Sequence, residues 1–288
     1  MELNHVATRE GRLSSLLREE MKLSAGLMNR LKWEERILVN GQSQHTDYQV
    51  KENDTITVVM DEPKPQYPAE NGDLSILYED DYILAVDKPA GMLIHPSRSR
   101  DSGTLANFVI GYYQEKGHPS AFHPVTRLDR DTFGIVLLAK NAYAHALLQT
   151  TPLQKTYHAL TFGGPDADEG IIDAPIQRLP LPSLLRQVHP DGKPSTSKFT
   201  VLQRGNICKL ALQPITGRTH QLRVHCAYMG FPILGDPQYG NPESKAYSAQ
   251  LHLSYQQLCA RKLEFVHPIT DQILTLESKM DVEDVNFL

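Results

Sequence analysis

The stretch TRLDRDTFG (126–134), followed at once by the apolar run IVLLA (135–139), places charge directly beside a predicted buried strand. Two arginines and two aspartates lie within five residues, and a glycine stands where the strand begins. Burying a carboxylate without a partner costs several kcal/mol or more, so these groups must be paired or hydrogen-bonded. The stretch therefore contains either a structural ion pair or a reaction centre, and on its own it leaves both interpretations open.

Length and composition indicate a globular protein of ordinary type. A chain of 288 residues with 40% hydrophobic residues can form a full core, and its length fits about two domains. The three cysteines are far apart and include no Cys-x-x-Cys pair, which argues against a disulfide framework and against a thiolate zinc site. The start of the chain lacks a signal-peptide pattern, and no apolar run is long enough to cross a bilayer. We expect a cytoplasmic protein.

Charge is segregated along the chain. The formal net charge of -5 at first disfavours a nucleic-acid partner. Residues 120–225, however, contain 12 Lys and Arg against 7 Asp and Glu, while acidic residues concentrate between Asp61 and Asp87. A basic face on an acidic protein is therefore compatible with the sequence.

The first 60 residues have the pattern of a small α+β module. Apolar residues recur at helical spacing from Leu13 to Met21, and Ser24 is placed to cap a second helix. A short strand at 37–39, an Asn-Gly turn and a closing strand at 55–59 follow. The spacing predicts two short helices followed by strands.

This arrangement resembles the S-four-like RNA-binding module of ribosomal proteins. The resemblance implies a phosphate-binding edge, for which Arg30, Lys32 and Arg36 are the candidates. Residues 1–60 contain eight Lys and Arg against nine Asp and Glu, fewer basic residues than such a module usually has. A packing domain with a solvated polar face is the competing interpretation.

A proline-rich linker over 61–73 separates this module from a second domain over 74–288. Prolines lack the amide donor, so the linker cannot extend the preceding strand. In the second domain strands outnumber helices and follow one another without regular helical crossovers, which predicts an α+β fold with a mixed, largely antiparallel sheet and flanking helices. The predicted strands are at 76–78, 83–86, 157–162, 198–202, 207–212 and 273–276, and the predicted helices are at 104–115 and 142–149.

Four stretches of the second domain have a recognisable order. They are LYEDD…VDKPAG…HP (77–96), the charged stretch at 126–134, QKTYHA (154–159), and TGRTHQLRVH (216–225) followed by GDP (235–237). Together they resemble the RluA family of RNA pseudouridine synthases, from about residue 76 to residue 268. The resemblance implies the pseudouridine-synthase fold and an isomerase, without metal or other cofactor, that detaches uracil from its ribose, turns it and rejoins it through carbon five.

The resemblance also implies roles for three candidate catalytic residues. Asp129 matches the essential aspartate, which acts as nucleophile or proton-transfer group, and Arg218 matches the arginine that pairs with it. Tyr157 matches a tyrosine whose ring stacks on the flipped base. The competing interpretations are an ion pair that only fixes the sheet and a tyrosine that only packs.

Further basic residues are candidates for RNA contacts. Arg127 matches a residue expected to enter the space that the flipped base leaves, or else to contact phosphate. Arg130 is expected to contact RNA, and Lys155 and Arg223 are expected to hold the RNA backbone or to support the fold. Lys88 is expected to be structural.

The sequence leaves the substrate open and is compatible with two functions besides isomerisation. By analogy, large-subunit rRNA is favoured over tRNA as the substrate. The two competing functions are a catalytically silent RNA- or ribosome-binding factor and a metal-dependent nuclease. The spacing of His220 and His225 spreads them around a helix and leaves no third ligand nearby, which argues against a metal site. Nothing in the sequence demands more than a monomer.

Overall fold

The chain consists of two compact units, Met1–Lys64 and Pro65–Leu288. In the computed structural model the described residues are 2–61, 63–97, 100–118 and 120–282. Residue 62 of the predicted linker lies outside them.

The first unit combines two short helices with short strands. Its elements are β1 (Glu2–Val6), β2 (Gly11–Arg12), α1 (Leu13–Glu19), α2 (Ala25–Trp33), β3 (Ile37–Val39), β4 (Gln42–Ser43), β5 (Gln49–Val50) and β6 (Thr55–Val59). One antiparallel sheet has the order β1-β6-β3-β4. The Ser24 hydroxyl accepts a hydrogen bond from the Leu27 N–H at 3.2 Å, which confirms the predicted cap.

Strand β1 was not expected from the sequence. It pairs along its whole length with β6, from Glu2 opposite Val59 to Val6 opposite Thr55. Only Leu3 of its five residues is buried, so the strand lacks the apolar alternation that makes a half-buried strand visible in a sequence.

The second unit is built on one large sheet. Its elements are β7 (Ser75–Glu79), β8 (Ile83–Lys88), α3 (Leu105–Glu115), β9 (His123–Pro124), β10 (Phe133–Ala139), α4 (Ala142–Leu148), β11 (Gln154–Phe162), β12 (Glu169–Asp173), β13 (Ile176–Arg178), β14 (Arg186–Val188), β15 (Thr196–Gln203), β16 (Ile207–Pro214), α5 (Gln221–Tyr228), α6 (Pro242–Gln250), β17 (Leu258–Val266) and β18 (Ile273–Glu277). The sheet has the order β12-β15-β16-β11-β17-β10-β8-β7, with β9 beside β10 and β18 beside β17. The predicted α+β fold with a mixed, largely antiparallel sheet is confirmed.

The centre of the sheet is covered on both faces. Every residue of β8 and of β10 is buried, because α3 packs on one face of these strands and α4 packs on the other. Alternate residues of each strand go to opposite faces, which explains why both strands read as continuous apolar runs. Helix α5 packs on the far half of the sheet through Leu222 and Cys226. The helices predicted at 104–115 and 142–149 are confirmed, whereas α5 and α6 were not predicted.

The strand pairing in the sheet changes from antiparallel to parallel at Gly134. Among the described residues, β10 with β17 is the one parallel strand pair, and it extends only over Phe133–Gly134 opposite Cys259–Ala260. Gly134 has φ +105°, and a Cβ atom there would lie 2.4 Å from the carbonyl oxygen of Ala260. A side chain is excluded both by the backbone angle and by the neighbouring strand. The glycine of the charged stretch therefore serves the close approach of β10 to β17.

Part of the predicted linker belongs to the second unit. Glu70 donates its backbone N–H to the Asn107 carbonyl at 3.1 Å, and its carboxylate accepts the N–H of Gly103 at 2.9 Å. Gly111 of α3 makes room for this segment, because a Cβ atom there would lie 2.1 Å from the Glu70 carbonyl oxygen. The proline content of 61–73 gave no indication of this packing.

Replacing Gly134 by alanine tests the strand junction. We expect Gly134→Ala to lower the free energy of unfolding by at least about 2 kcal/mol, because it combines backbone strain with a clash against Ala260. Gly217→Ala is the control, since a Cβ atom at Gly217 meets nothing within 4 Å. Urea unfolding should be followed by far-UV circular dichroism, because the single tryptophan, Trp33, reports on the first unit. Equal stability of the two variants would contradict the assigned role of Gly134.

Candidate active site

A cleft of about 750 Å³ opens in the second unit at the end of β10 where Gly134 lies. Its walls come from the loop before β10, the start of β11, the loop after β16 and the first turn of α5. Seven residues predicted to form the site line this cleft: Arg127, Asp129, Arg130, Lys155, Tyr157, Arg218 and Arg223.

A buried lysine holds the backbone of the loop that carries Asp129. Lys88 is fully buried, and its ammonium donates to the carbonyl oxygens of Pro89, Met92 and Arg130, each at 2.9 Å. Burial lowers the pKa of Lys88 to about 8, although the charges of Asp131 and Asp129 act in the opposite direction. The structural role expected for Lys88 is therefore to fix the backbone next to Asp129.

The carboxylate of Asp129 is paired with Arg223. The Nη1 atom of Arg223 donates to Oδ2 of Asp129 at 2.9 Å. Among the described residues, Oδ1 of Asp129 accepts no hydrogen bond. The two oxygens are therefore unequal, one held by a guanidinium and the other available to a molecule in the cleft.

Arg223 is itself fixed by a second aspartate. Its Nε and Nη2 atoms donate to the two oxygens of Asp236 at 2.7 and 2.8 Å, and Nη2 also donates to Gln238 at 2.8 Å. The guanidinium lies 4.9 Å from the centre of the Tyr239 ring. Burial alone would lower the pKa of Arg223, but the hydrogen bonds and charges of Asp236 and Asp129 raise it above its usual value. Arg223 is a permanent cation.

The predicted pairing of Asp129 with Arg218 is wrong. Arg218 lines the same cleft, but its side chain is exposed and its Nε atom donates to the carbonyl oxygen of Pro194 at 3.2 Å. The two arginines are five residues apart in one motif, and the start of α5 at Gln221 decides between them. Arg223 lies in the first helical turn and points inward, whereas Arg218 precedes the helix.

Of the two roles expected for Arg223, holding the RNA backbone is wrong and supporting the fold is right. Only 4% of the residue is exposed, and Asp129, Asp236 and Gln238 accept hydrogen bonds from four of its five N–H donors. A phosphate group at the surface has no access to it.

Tyr157 lies at a β-bulge beside Asp129. The pairing of β11 with β17 shifts register between Thr156 and Tyr157. Bulges re-aim side chains and are frequent next to active sites. Burial first and the Asp129 carboxylate second raise the pKa of the Tyr157 hydroxyl well above its usual value. The hydroxyl remains protonated at neutral pH, and the ring lines the cleft.

Cationic side chains surround the mouth of the cleft. Arg127 and Arg218 are exposed. Lys155 is half-buried, and its ammonium group has no hydrogen-bonding partner among the described residues. Burial lowers the pKa of Lys155. Arg130 is exposed too, but Asp131 binds it through two hydrogen bonds of 2.9 and 2.8 Å. A cationic rim above a held carboxylate and an aromatic ring suits a planar, uncharged group attached to an anionic backbone.

A histidine completes the surroundings of Asp129 and was not predicted as a site residue. The Nε2 atom of His220 lies 3.8 Å from Oδ2 of Asp129. Burial lowers the pKa of His220, and the charge of Asp129 offsets this only in part. The signal for His220 in the sequence is its position in TGRTHQLRVH, between the two arginines.

The first unit places its three candidate residues differently from one another. Arg30 is exposed, and the ammonium of Lys32 lies 5.5 Å from the ring centre of Trp33, whose exposed fraction is 79%. Arg36 is ion-paired with Asp61 at 2.6 Å and with Glu34 at 3.3 Å. Arg36 is therefore partly neutralised, whereas Arg30 and Lys32 have their charges at the surface.

Two further observations concern metals and membranes. Across the described parts of the chain, no group of three or more His, Cys, Asp and Glu side chains has the arrangement of a metal site. Within the same residues, no helix has the length and apolar character needed to cross a membrane.

Comparison with known proteins shows which family this chain resembles. Residues 82–228 match the family described as RNA pseudouridylate synthase. A Bacillus subtilis (strain 168) protein named as an uncharacterized RNA pseudouridine synthase is 37% identical over 241 residues, which is 81% of this chain and 83% of the relative. The ribosomal large subunit pseudouridine synthase C of Vibrio cholerae serotype O1 (strain ATCC 39315 / El Tor Inaba N16961) is 31% identical, over 94% of this chain and 90% of that protein.

A solved structure shows the same fold. The human RNA pseudouridylate synthase domain containing 1 superposes with a TM-score of 0.60 and 25% sequence identity, covering 75% of this chain and 86% of that protein. The matched family segment, the extent of the identity with the bacterial proteins and the shared fold agree with the resemblance noted in the sequence. This chain belongs to the RluA family of RNA pseudouridine synthases, isomerases that convert uridine to pseudouridine in RNA.

Proposed function

We propose that Asp129 carries out the isomerisation and that the substrate is a uridine of large-subunit rRNA. The observation that carries this proposal is the pairing of Asp129 Oδ2 with Arg223 at the wall of a cleft of about 750 Å³, with Oδ1 left open. A carboxylate paired and oriented in this way is suited to attack a carbon atom or to accept a proton.

The reaction needs no external electron or group donor. The bond between N1 of uracil and C1′ of ribose breaks, a bond between C5 and C1′ forms, C5 loses one proton, and N1 gains one. Asp129 acts either as the nucleophile on the sugar or as a proton-transfer group, and both roles use the same open oxygen. That the enzyme works without metal or another cofactor stays a prediction.

The remaining cleft residues bind and shape the substrate in this proposal. The ring of Tyr157 stacks on the uracil, and its protonated hydroxyl is available to donate a hydrogen bond to the substrate. Arg127, which is exposed at the rim, enters the space that the flipped base leaves in the RNA. Lys155, Arg218 and, more weakly because of Asp131, Arg130 contact the phosphate backbone.

The first unit serves as the S-four-like RNA-binding module. Its two short helices are followed by strands as predicted, and Arg30 and Lys32 offer cations beside the exposed ring of Trp33. Arg36 contributes less, because Asp61 and Glu34 neutralise it. The Vibrio cholerae relative is named for the ribosomal large subunit, which favours rRNA over tRNA for this chain as well. We further infer a monomer that acts in the cytoplasm.

The pairing of Asp129 with Arg223, and not with Arg218, can be tested by replacing each arginine in turn. We expect Arg223→Gln to lower the free energy of unfolding by about 3–5 kcal/mol and to abolish conversion, because the buried Asp236 carboxylate loses its cation and keeps only the backbone N–H groups of Gln238 and Tyr239. Arg218→Gln should change the free energy of unfolding by less than about 0.5 kcal/mol and should raise KM for RNA. Urea unfolding and a single-turnover assay measure both effects.

A double variant separates the two effects of Arg223. Adding Asp236→Asn to Arg223→Gln removes the unpaired buried charge, so stability should recover while conversion stays absent. Recovery of conversion would show that Arg223 serves only the fold. Loss of stability in Arg218→Gln as large as in Arg223→Gln would contradict the assignment of the ion pair.

The proposed role of Asp129 can be tested by replacing its carboxylate with the amide of asparagine. Asp129→Asn should abolish pseudouridine formation while RNA binding is largely retained, because the amide can still accept from Arg223 but provides neither an anionic nucleophile nor a base. Asp131→Asn, two residues away and paired with Arg130, is the matched control and should remain active. Conversion that survives in Asp129→Asn would refute the role of Asp129.

Mapping of pseudouridine tests the substrate. In RNA from cells that lack this gene, one or a few pseudouridines of large-subunit rRNA should be absent, and the wild-type gene should restore them whereas Asp129→Asn should not. A loss confined to tRNA would contradict the rRNA assignment. If no pseudouridine is lost and the purified protein converts no uridine in total RNA, the protein is a catalytically silent RNA-binding factor.

A further inference from the structure

His220 lies between Asp129 and Tyr239 and has no part in the proposal above. Its side chain is 16% exposed, its Nδ1 atom lies 2.7 Å from the hydroxyl of Tyr239, and its Nε2 atom lies 3.8 Å from Oδ2 of Asp129. This is the same oxygen that accepts the hydrogen bond from Arg223. The histidine thus connects the reactive carboxylate with a residue outside the cleft wall.

The two neighbours of His220 select one tautomer of the ring. The Tyr239 hydroxyl accepts the backbone N–H of Arg186 at 2.9 Å, which leaves its own proton for Nδ1 of His220. The other tautomer would turn a lone pair of Nε2 toward the carboxylate of Asp129, which is unfavourable. Both contacts therefore favour a neutral imidazole with its proton on Nε2, facing Asp129.

The backbone of His220 is held in an uncommon conformation. With φ +58° and ψ +19°, it is in the left-handed region, directly before the first residue of α5. A non-glycine residue keeps such a conformation only where its surroundings determine it, and such residues concentrate at functional sites. The Tyr239 ring contacts the edge of the His220 ring with centres 5.6 Å apart and also lies against Arg223. Tyr239 therefore supports both groups that face Oδ2.

We propose that His220 is a positioning residue for Asp129. When uridine enters the cleft, the Nε2–H group of His220 closes on Oδ2, so that two donors hold this oxygen and Oδ1 faces the reacting atoms. The present distance of 3.8 Å is too long for a hydrogen bond, and catalytic hydrogen bonds commonly shorten only in the complex. The inference rests on the proposed role of Asp129.

Protonation of His220 would oppose this function. Five groups face the ring: Asp129 from the loop before β10, Arg223 from α5, Asp236 and Tyr239 from the loop after α5, and Arg186 from β14. Burial lowers the pKa of His220 below 6.5, the two carboxylates act against this, and the two arginines add to it. Below that pKa an imidazolium would form a full ion pair with Asp129 and make the carboxylate a weaker nucleophile and base.

Two substitutions separate positioning from packing. Asn tolerates the left-handed backbone but has no donor at the place of Nε2, whereas the side-chain amide of Gln reaches it. We expect His220→Asn to lower kcat about tenfold to a hundredfold with little change in KM for RNA, and His220→Gln to recover most of this loss. Single-turnover and steady-state assays on an RNA substrate measure both constants.

The pH profile provides a readout that a merely structural role would not change. In the wild type, kcat should fall with decreasing pH below 6.5 as His220 takes up a proton, and His220→Gln should lack this part of the profile because an amide does not titrate. Tyr247→Phe, in α6 and outside the cleft, should keep the wild-type profile.

The outcomes distinguish this inference from the proposed function. Unchanged kcat in His220→Asn, an equal loss in the Asn and Gln variants, or a wild-type pH profile in His220→Gln would each overturn the role of His220. If Asp129→Asn is inactive in the same assays, the proposed role of Asp129 stands regardless. If Asp129→Asn is active, both the proposed role and this inference fail.

Discussion

The site depends on one buried guanidinium that serves two carboxylates. Arg223 binds Asp236 through two parallel hydrogen bonds and Asp129 through a third. Removing three charged groups from water is expensive, and only full hydrogen bonding offsets the cost. The side chain of Asp236 is 1% exposed, which shows that this end of the network belongs to the core. The other end reaches the cleft, so a core interaction fixes the position of a surface carboxylate.

The strand junction brings the remaining parts to that carboxylate. Ala260 of β17 pairs with Gly134 of β10 on one side and with Tyr157 of β11 on the other. The loop before β10 contains Asp129, so the close approach of β10 to β17 at Gly134 influences how far Asp129 lies from Tyr157. Fold stability and site geometry are therefore linked through a glycine that takes no part in the chemistry.

Local patterns in the sequence predicted most of the fold. Continuous apolar runs and turn residues located the central strands, and Thr104 and Ser24 marked the starts of two helices. Elements that depend on partners distant in sequence were not predicted. Strand β1 has one buried residue, and α5 and α6 carry mixed polar and apolar residues. The site was found as a set, since seven predicted residues line one cleft. The ion pair of Asp129 was not predicted correctly, because a motif does not reveal which of two arginines turns inward.

The division of donors on Arg223 explains how Asp129 is oriented while one of its oxygens stays accessible from the cleft. If the paired face of the guanidinium bound Asp129, both oxygens of that carboxylate would be occupied, and its nucleophilicity would be suppressed. That face is directed instead to Asp236, which fixes the plane of the guanidinium and leaves Nη1 for a single bond to Oδ2. A second aspartate, remote from the substrate, thus keeps Oδ1 of the first free. The role proposed for Asp129 depends on this unequal sharing of one cation.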